Sequence, residues 1–277
     1  MKYEYIMIKN VIITIPVFKQ HLNTVEQKSF LQCLRILHKH DISIFTHNEL
    51  DLSEYYQLVL QTGKNFSVAY FDKNYFSSVA GYNRLMLSKD FYTYYASTYK
   101  YILIYQLDAW IFSDELEKWC LQDYDYIGAP SMFIKKDPKQ SFKYWSVGNG
   151  GLSLRKCEYC LKVLSIPEKK TLIPLHGLIQ MAYTLRMKLA IPFKIFGFQN
   201  SLMYFKTNGI NEDQIFSYYM QHSSYSVNLP SVDKALEFAF ESHPSYSYKR
   251  IGNKLPFGCH AFIKHEYETF WKQFRNI

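Results

Sequence analysis

Four short stretches of this sequence carry side chains that could do chemistry. Residues 101–110, YILIYQLDAW, set Ile102, Leu103 and Ile104 in an apolar run that reads as a strand buried on both faces and stops at Gln106 and Asp108. In open α/β sheets ligands bind beyond the carboxyl ends of the strands. A carboxylate delivered there is placed to hold a metal or a polar substrate, although Asp is also a common turn residue. Asn211, Glu212 and Asp213 open an amphipathic helix with two adjacent carboxylates. Acidic residues in a first turn suit the helix dipole, and a general base needs the same rigid perch. His260, in LPFGCHAF, lies between apolar neighbours, where a structural histidine is the commoner outcome than a ligand. In VGNGGLSLR, Gly148, Gly150 and Gly151 surround Asn149, which allows positive φ and close approach of the backbone to a ligand, or a tight turn with none. No Lys-Ser/Thr follows, and the G-x-G-x-x-G spacing is missing, so neither standard nucleotide-phosphate loop fits.

These stretches need a scaffold, and the chain supplies one with a β-α-β beginning. Residues 11–17 (VIITIPV) read as a first central strand stopped by Pro16, followed by a helix opened by Thr24 as N-cap and a second strand over 42–46. Such a unit implies a parallel pair with a right-handed crossover. A helix over 50–60, introduced by Asp51 or Ser53, and a strand over 65–71 complete the first half. Residues 79–88 and 91–97 read as helices leading into the organising strand, with Asn83 and Arg84 on the polar face. Arg84 has two readings, a phosphate contact and a surface arginine. A short helix over 114–120 and a strand over 126–129 follow. Residues 131–145 are polar, basic and unpatterned, which suggests a lid or binding loop carrying Lys135, Lys136 and Trp145. Residues 167–203 are apolar and basic, with a helix expected over 175–189.

Composition bounds the function. A chain of 277 residues, 48% hydrophobic and only 20% charged, is globular and long enough for one large α/β domain. Its 25 Tyr and 21 Phe suit half-buried clefts such as those that bind sugars. The net charge of +8 favours anionic partners, but the positives are scattered as pairs (Lys169–Lys170, Lys249–Arg250), which argues against a nucleic-acid groove. Five cysteines without a framework argue against a disulfide-stapled protein. Cys157 and Cys160 form a C-x-x-C with no partner pair to complete a zinc site, and are read as packing. The N-terminus does not read as a signal segment and no window reaches the length of a membrane span, so a cytoplasmic protein is expected, with contact at the inner face of the membrane left open.

Taken in order, YNRLMLS, YILIYQLDAW, DYIGAP, VGNGGLSLR, NEDQIFS and PFGCHAF resemble the motifs of a poorly characterised family of bacterial and eukaryotic GT-A-like glycosyltransferase domains, over about residues 11–262. The resemblance implies a Rossmann-like GT-A fold: a central mixed, mostly parallel sheet flanked by helices in a single domain, residues 1–277. About 11–110 would form the nucleotide-binding half and about 111–277 the acceptor and catalytic half. It implies a metal-dependent transfer of a sugar from a nucleotide-sugar donor to a glycan or lipid-linked glycan, in surface polysaccharide or lipopolysaccharide biosynthesis. Asp108 would stand last in an Asp-x-Asp motif whose first position is Gln106 here, and with His260 would hold Mn²⁺ or Mg²⁺. Thr14, Pro16, Asn83, Arg84, Gln106, Asp108, Gly148, Asn149, Gly150 and Gly151 would contact the donor. Asp213 matches the base of inverting members, with Glu212 as its neighbour or substitute. A non-catalytic domain that binds a nucleotide or glycan is the alternative.

Overall fold

A computed structural model of the chain describes residues 9–134, 142–182 and 185–274. Strands β1 (Lys9–Pro16), β2 (Asp41–Thr46), β3 (Ser67–Tyr70) and β4 (Tyr99–Tyr105) are parallel neighbours in the order β3-β2-β1-β4. Next along the chain come β5 (Ala109–Ile111), β6 (Tyr126–Gly128), β7 (Pro130–Ile134), β8 (Phe142–Val147) and β9 (Leu152–Lys156). β9 pairs antiparallel with β4, and β6 antiparallel with β9, which completes a six-stranded mixed, mostly parallel sheet. A second sheet, β10-β11-β5, joins β10 (Ala239–Phe240) and β11 (Gly258–His260) to the continuation of β4.

The sheet is covered on both faces because alternate strand residues point to opposite sides. Ile13, Ile15, Leu103 and Tyr105 pack with Phe30, Leu34 and Trp119 on one face, while Ile12, Ile102 and Ile104 pack with Phe91, Tyr92 and Phe216 on the other. Helix α1 (Thr24–Ile36) starts one residue earlier than the sequence suggested. Asn23, not Thr24, is its N-cap: Asn23 Oδ1 accepts from the amides of Val25 and Glu26 at 2.9 and 3.0 Å, and Glu26 Oε2 accepts from the Asn23 amide at 2.9 Å. Helix α2 (Ser53–Leu60) follows Asp51, whose Oδ1 accepts from the Ser53 amide at 2.8 Å, and α3 (Val79–Met86) and α4 (Lys89–Ala96) lead into β4 as expected.

Two expectations need correction. The polar stretch 131–145 is not an unpatterned loop at its ends: β7 and β8 pair as an antiparallel hairpin, its register slipping between Ser131 and Met132. Lys135 and Lys136 lie outside the described residues, as does the side chain of Trp145. The single helix expected over 175–189 is instead two, Leu175–Met181 and Leu185–Leu189, with residues 183–184 between them outside the described residues. All five cysteines are buried and free, in keeping with a packing role for Cys157 and Cys160.

Candidate active site

After β1 the chain builds β2 and β3 on one side, then returns to place β4 on the other, so β1 and β4 flank the point where strand order reverses. Ligand crevices form at such switch points. A cavity of about 810 Å³ opens there, lined by Pro16–Lys19 after β1, Gln106–Asp108 after β4, Asn149–Gly151 before β9, and Asn211–Asp213. Tyr82 and Asn83 of α3 and His260, Ala261 and Lys264 complete much of the wall.

One wall is built by strand register. Ala109 opens β5 and pairs opposite His260 of β11, so Asp108, one residue earlier, meets the imidazole. His260 Nε2 lies 3.0 Å from Asp108 Oδ1 and 3.2 Å from Gln106 Oε1, while Nδ1 lies 3.1 Å from Glu241 Oε1. Lys264 Nζ donates to Asp108 Oδ2 at 3.2 Å. Burial disfavours the imidazolium, but the hydrogen bonds and charges of Asp108 and Glu241 outweigh it and push the His260 pKa up to about 9. For Asp108 burial acts upward and loses to His260 and Lys264, which hold the carboxyl well below the usual range. Gly151 is required beside this wall: a Cβ there would fall 2.0 Å from His260 Nε2. Its carbonyl accepts from the Gln106 amide at 2.9 Å, tying the glycine turn to the end of β4.

Behind Gly150 and Glu212, outside the cavity lining, lies Arg155, fully buried in β9. Its Nη2 donates to Glu212 Oε1 at 2.9 Å and to the Gly150 carbonyl at 3.3 Å, Nη1 to the Tyr92 hydroxyl at 3.0 Å and Nε to Ser153 Oγ at 3.0 Å. The guanidinium also stacks over Tyr126 at 5.1 Å. Glu212 is thereby committed as a counter-ion. Asp213 is not: Oδ2 accepts from the Gly150 amide at 3.2 Å and Oδ1 from the Gln214 amide at 2.6 Å. Burial, then the neighbouring Glu212 charge, raise the Asp213 pKa, against the pull of those amides and Arg155. The helix that carries it has one α-turn, Glu212–Gln214, before a π-turn over Ile215–Tyr219, and Ser217 Oγ donates back to the Asp213 carbonyl at 2.6 Å. Asn83 Nδ2 donates to Asn211 Oδ1 at 3.0 Å, fixing the helix entry against α3.

The structure thus brings Pro16, Asn83, Gln106, Asp108, Asn149, Gly150, Gly151, Glu212, Asp213 and His260 to one cavity and leaves three expected donor residues out of its lining. Thr14 is buried in the sheet, its Oγ1 donating to the Leu103 carbonyl at 3.2 Å. Arg84 points away and donates to the Asn74 carbonyl at 3.3 Å, the surface reading of that residue. Gly148, at φ +119°, lies against the Tyr126 ring, where a Cβ would come within 2.6 Å, so its glycine serves packing. Sequence reasoning gave no role to Glu241, Lys264 or Arg155. Glu241 repeats the pattern that marked Asp108, an acid ending an apolar strand, and Arg155 ends the glycine motif; Lys264 carries no comparable signal.

The first wall carries groups that could hold a divalent cation once it displaces the His260 proton and the Lys264 contact of Asp108. Asp108 Oδ1, Gln106 Oε1 and His260 Nε2 converge as hard oxygen and nitrogen donors. Among the described residues no cluster of three or more His, Cys, Asp or Glu forms a closed cage.

Fold and cavity together define an α/β protein whose polar site lies at the carboxyl ends of its parallel strands. The chain belongs to the family DUF5672, described as proteins of unknown function, whose model matches residues 65–260. No curated protein matches it in sequence. Its structure is similar to mouse xyloside xylosyltransferase 1 in the apo form, at 10% identity and a TM-score of 0.48, over 92% of this chain and 97% of that one. It is also similar to a galactosyltransferase LgtC in complex with donor and acceptor sugar analogs (11% identity, TM-score 0.45, 90% and 86% covered). A third similarity is to core-mannan synthase A from Aspergillus fumigatus in a Mn/GDP form (9%, 0.41, 82% of each). All three TM-scores fall below 0.5.

Proposed function

We propose that this chain is a GT-A-like, metal-dependent glycosyltransferase that moves a sugar, a hexose in the first instance, from a nucleotide-sugar donor to a hydroxyl of a glycan or lipid-linked glycan. The supporting observation is the convergence in one cavity, at the switch point between β1 and β4, of Asp108, Gln106 and His260 on one wall and of Asp213 on a backbone-fixed perch on the other. Residues of about 11–110 would form most of the nucleotide side and later residues the catalytic and acceptor side. The acceptor class proposed is a surface polysaccharide or lipopolysaccharide precursor, with the reaction at the cytoplasmic side.

In the reaction the acceptor oxygen bonds to the anomeric carbon as the bond from that carbon to the diphosphate oxygen breaks. The diphosphate leaves with the electron pair, and the acceptor proton passes to an Asp213 carboxylate oxygen. A bound Mn²⁺ or Mg²⁺ would neutralise the charge that develops on the leaving diphosphate. Asp108 and His260 would hold it, with Gln106 supplying a neutral oxygen where a second carboxylate would otherwise stand. Arg155 keeps Glu212 paired and so leaves Asp213 as the carboxylate available for proton transfer. A single displacement with Asp213 as base inverts the anomeric centre.

Asp213→Asn tests this assignment. It keeps the size of the side chain and an oxygen acceptor for one of the two amides, Gly150 or Gln214, but removes the base, so turnover should fall by about 10²-fold or more while donor binding persists. Unchanged turnover would remove Asp213 from the reaction. A second reading, a binding domain without catalysis, draws on Gln106 and on the commitment of Asp108 to His260 and Lys264. Donor binding with neither transfer nor hydrolysis would favour it.

A further inference from the structure

The chain between Leu172 and Asn200 leaves the body of the protein and returns through a pinned neck. Thr171 and Ser201 form an antiparallel bridge, and the Leu172 amide donates to the Asn200 carbonyl at 3.0 Å. Buried Asn200 closes the neck further: its Oδ1 accepts from the Ile173 amide at 2.9 Å, and its Nδ2 donates to the carbonyls of Ile173 at 2.8 Å and Lys194 at 3.1 Å. Inward, Leu178 and Met181 join the core, and Gly177 lies so close to the His222 carbonyl that a Cβ would fall at 2.1 Å.

Outward, the same excursion does the opposite of what a water-facing surface requires. Leu185, Leu189, Phe193, Phe196 and Phe198 are between 67% and 80% exposed. They sit on the short helices Leu185–Leu189 and Ile191–Ile195 and the turn after them. Singly exposed apolar residues need no explanation, but five large ones within fourteen positions on a pinned excursion mark an interaction surface. Charge selects the partner. Between Leu172 and Asn200 the chain carries Arg186, Lys188 and Lys194 and not one Asp or Glu, and the acid just outside it, Glu168, is paired with Lys206 at 3.1 Å. Arg186 and Lys188 are exposed beside the apolar residues.

We infer that the face carried by residues 185–198 is a docking surface for an anionic lipid bilayer, with the five apolar side chains entering the headgroup and acyl boundary and Arg186, Lys188 and Lys194 attracted to the lipid charge. This combination, apolar side chains flanked by Lys and Arg without acids, is the pattern of interfacial helices that lie in a membrane plane. No helix among the described residues is long and apolar enough to cross a bilayer, so the contact is peripheral. The inference does not depend on the glycosyltransferase reading, since the excursion contributes none of the side chains assigned to the reaction.

The test is flotation of the full chain with vesicles of phosphatidylcholine containing about 30% phosphatidylglycerol, against pure phosphatidylcholine, at low salt and at about 0.5 M NaCl. The chain should float with the anionic vesicles and lose most of that binding in pure phosphatidylcholine or high salt. Phe193→Ser with Phe196→Ser, and separately Arg186→Glu with Lys188→Glu, should each weaken binding by about tenfold or more while thermal unfolding stays near that of the parent, as expected of exposed positions. Parent-like binding by both variants, or no binding of the parent to anionic vesicles, would overturn the inference. So would a concentration-dependent dimer in sedimentation velocity that the double serine variant abolishes, if no vesicle binding accompanies it, because the face would then be covered by a second copy of the chain.

Discussion

Asp213 is held against its own solution preference. Burial and the Glu212 charge favour its protonated form, raising its pKa to about 7. Between the ordinary Asp value of about 3.9 and that raised value, the folded chain keeps a proton that the unfolded chain has released, so stability falls as pH rises through this window. Asp213→Asn carries no such proton. Its stability relative to the parent should rise from about pH 4 to about pH 7, by roughly 1–3 kcal/mol, and then level off. Urea unfolding at a series of pH values reads this directly, and a pH-independent difference would contradict the burial account. Arg155 makes a second case. Arg155→Met would leave Glu212 buried without its partner, and breaking a buried pair from one side costs about 3–5 kcal/mol. Chemical denaturation should show that loss, and Arg155→Met with Glu212→Gln should recover part of it, because the stranded charge is gone.

At the scale of elements, the strands that matter most were legible because burial on both faces writes a continuous apolar run. VIITIPV and YILIY give β1 and β4, and the site follows from what ends them. The cap of α1 was displaced by one residue because Asn23 and Thr24 are both capping types, and only the reciprocal bond from Glu26 decides between them. The β7–β8 hairpin was missed because its pairing is fixed by partners across the turn, not by local propensity. These elements differ in what they hold. Asn23→Ala removes one cap and should cost about 1 kcal/mol, whereas Leu103→Ala, which opens a cavity in the middle of β4, should cost about 3 kcal/mol; thermal unfolding separates the two. Equal losses would mean that β4 is not the centre of the core.

For the whole molecule, the residues that proved hardest to read are those whose partners lie far along the chain. Asp108 and His260 were visible as candidates, but that they meet depends on β5 pairing with β11, and Glu241 enters only because the two-residue β10 lies beside β11. Arg155 gains its meaning from Tyr92 and Glu212, on elements well before and after it. Thr14 and Arg84 lie outside the cavity lining, each donating to a backbone carbonyl whose position only the folded chain fixes. The cavity between β1 and β4 is the proposed seat of a nucleotide-sugar together with a divalent cation. The most direct measurement is a thermal-shift series with UDP-, GDP-, CMP- and dTDP-sugars, with and without Mn²⁺, on the parent and on Asp108→Ala. At about 100 times its dissociation constant a ligand adds roughly 2.7 kcal/mol of stability, a readily visible shift. Stabilisation by one nucleotide class, dependent on Mn²⁺ and lost in Asp108→Ala, is expected; no shift with any donor, or a shift indifferent to both the metal and Asp108, would contradict a metal-dependent donor site.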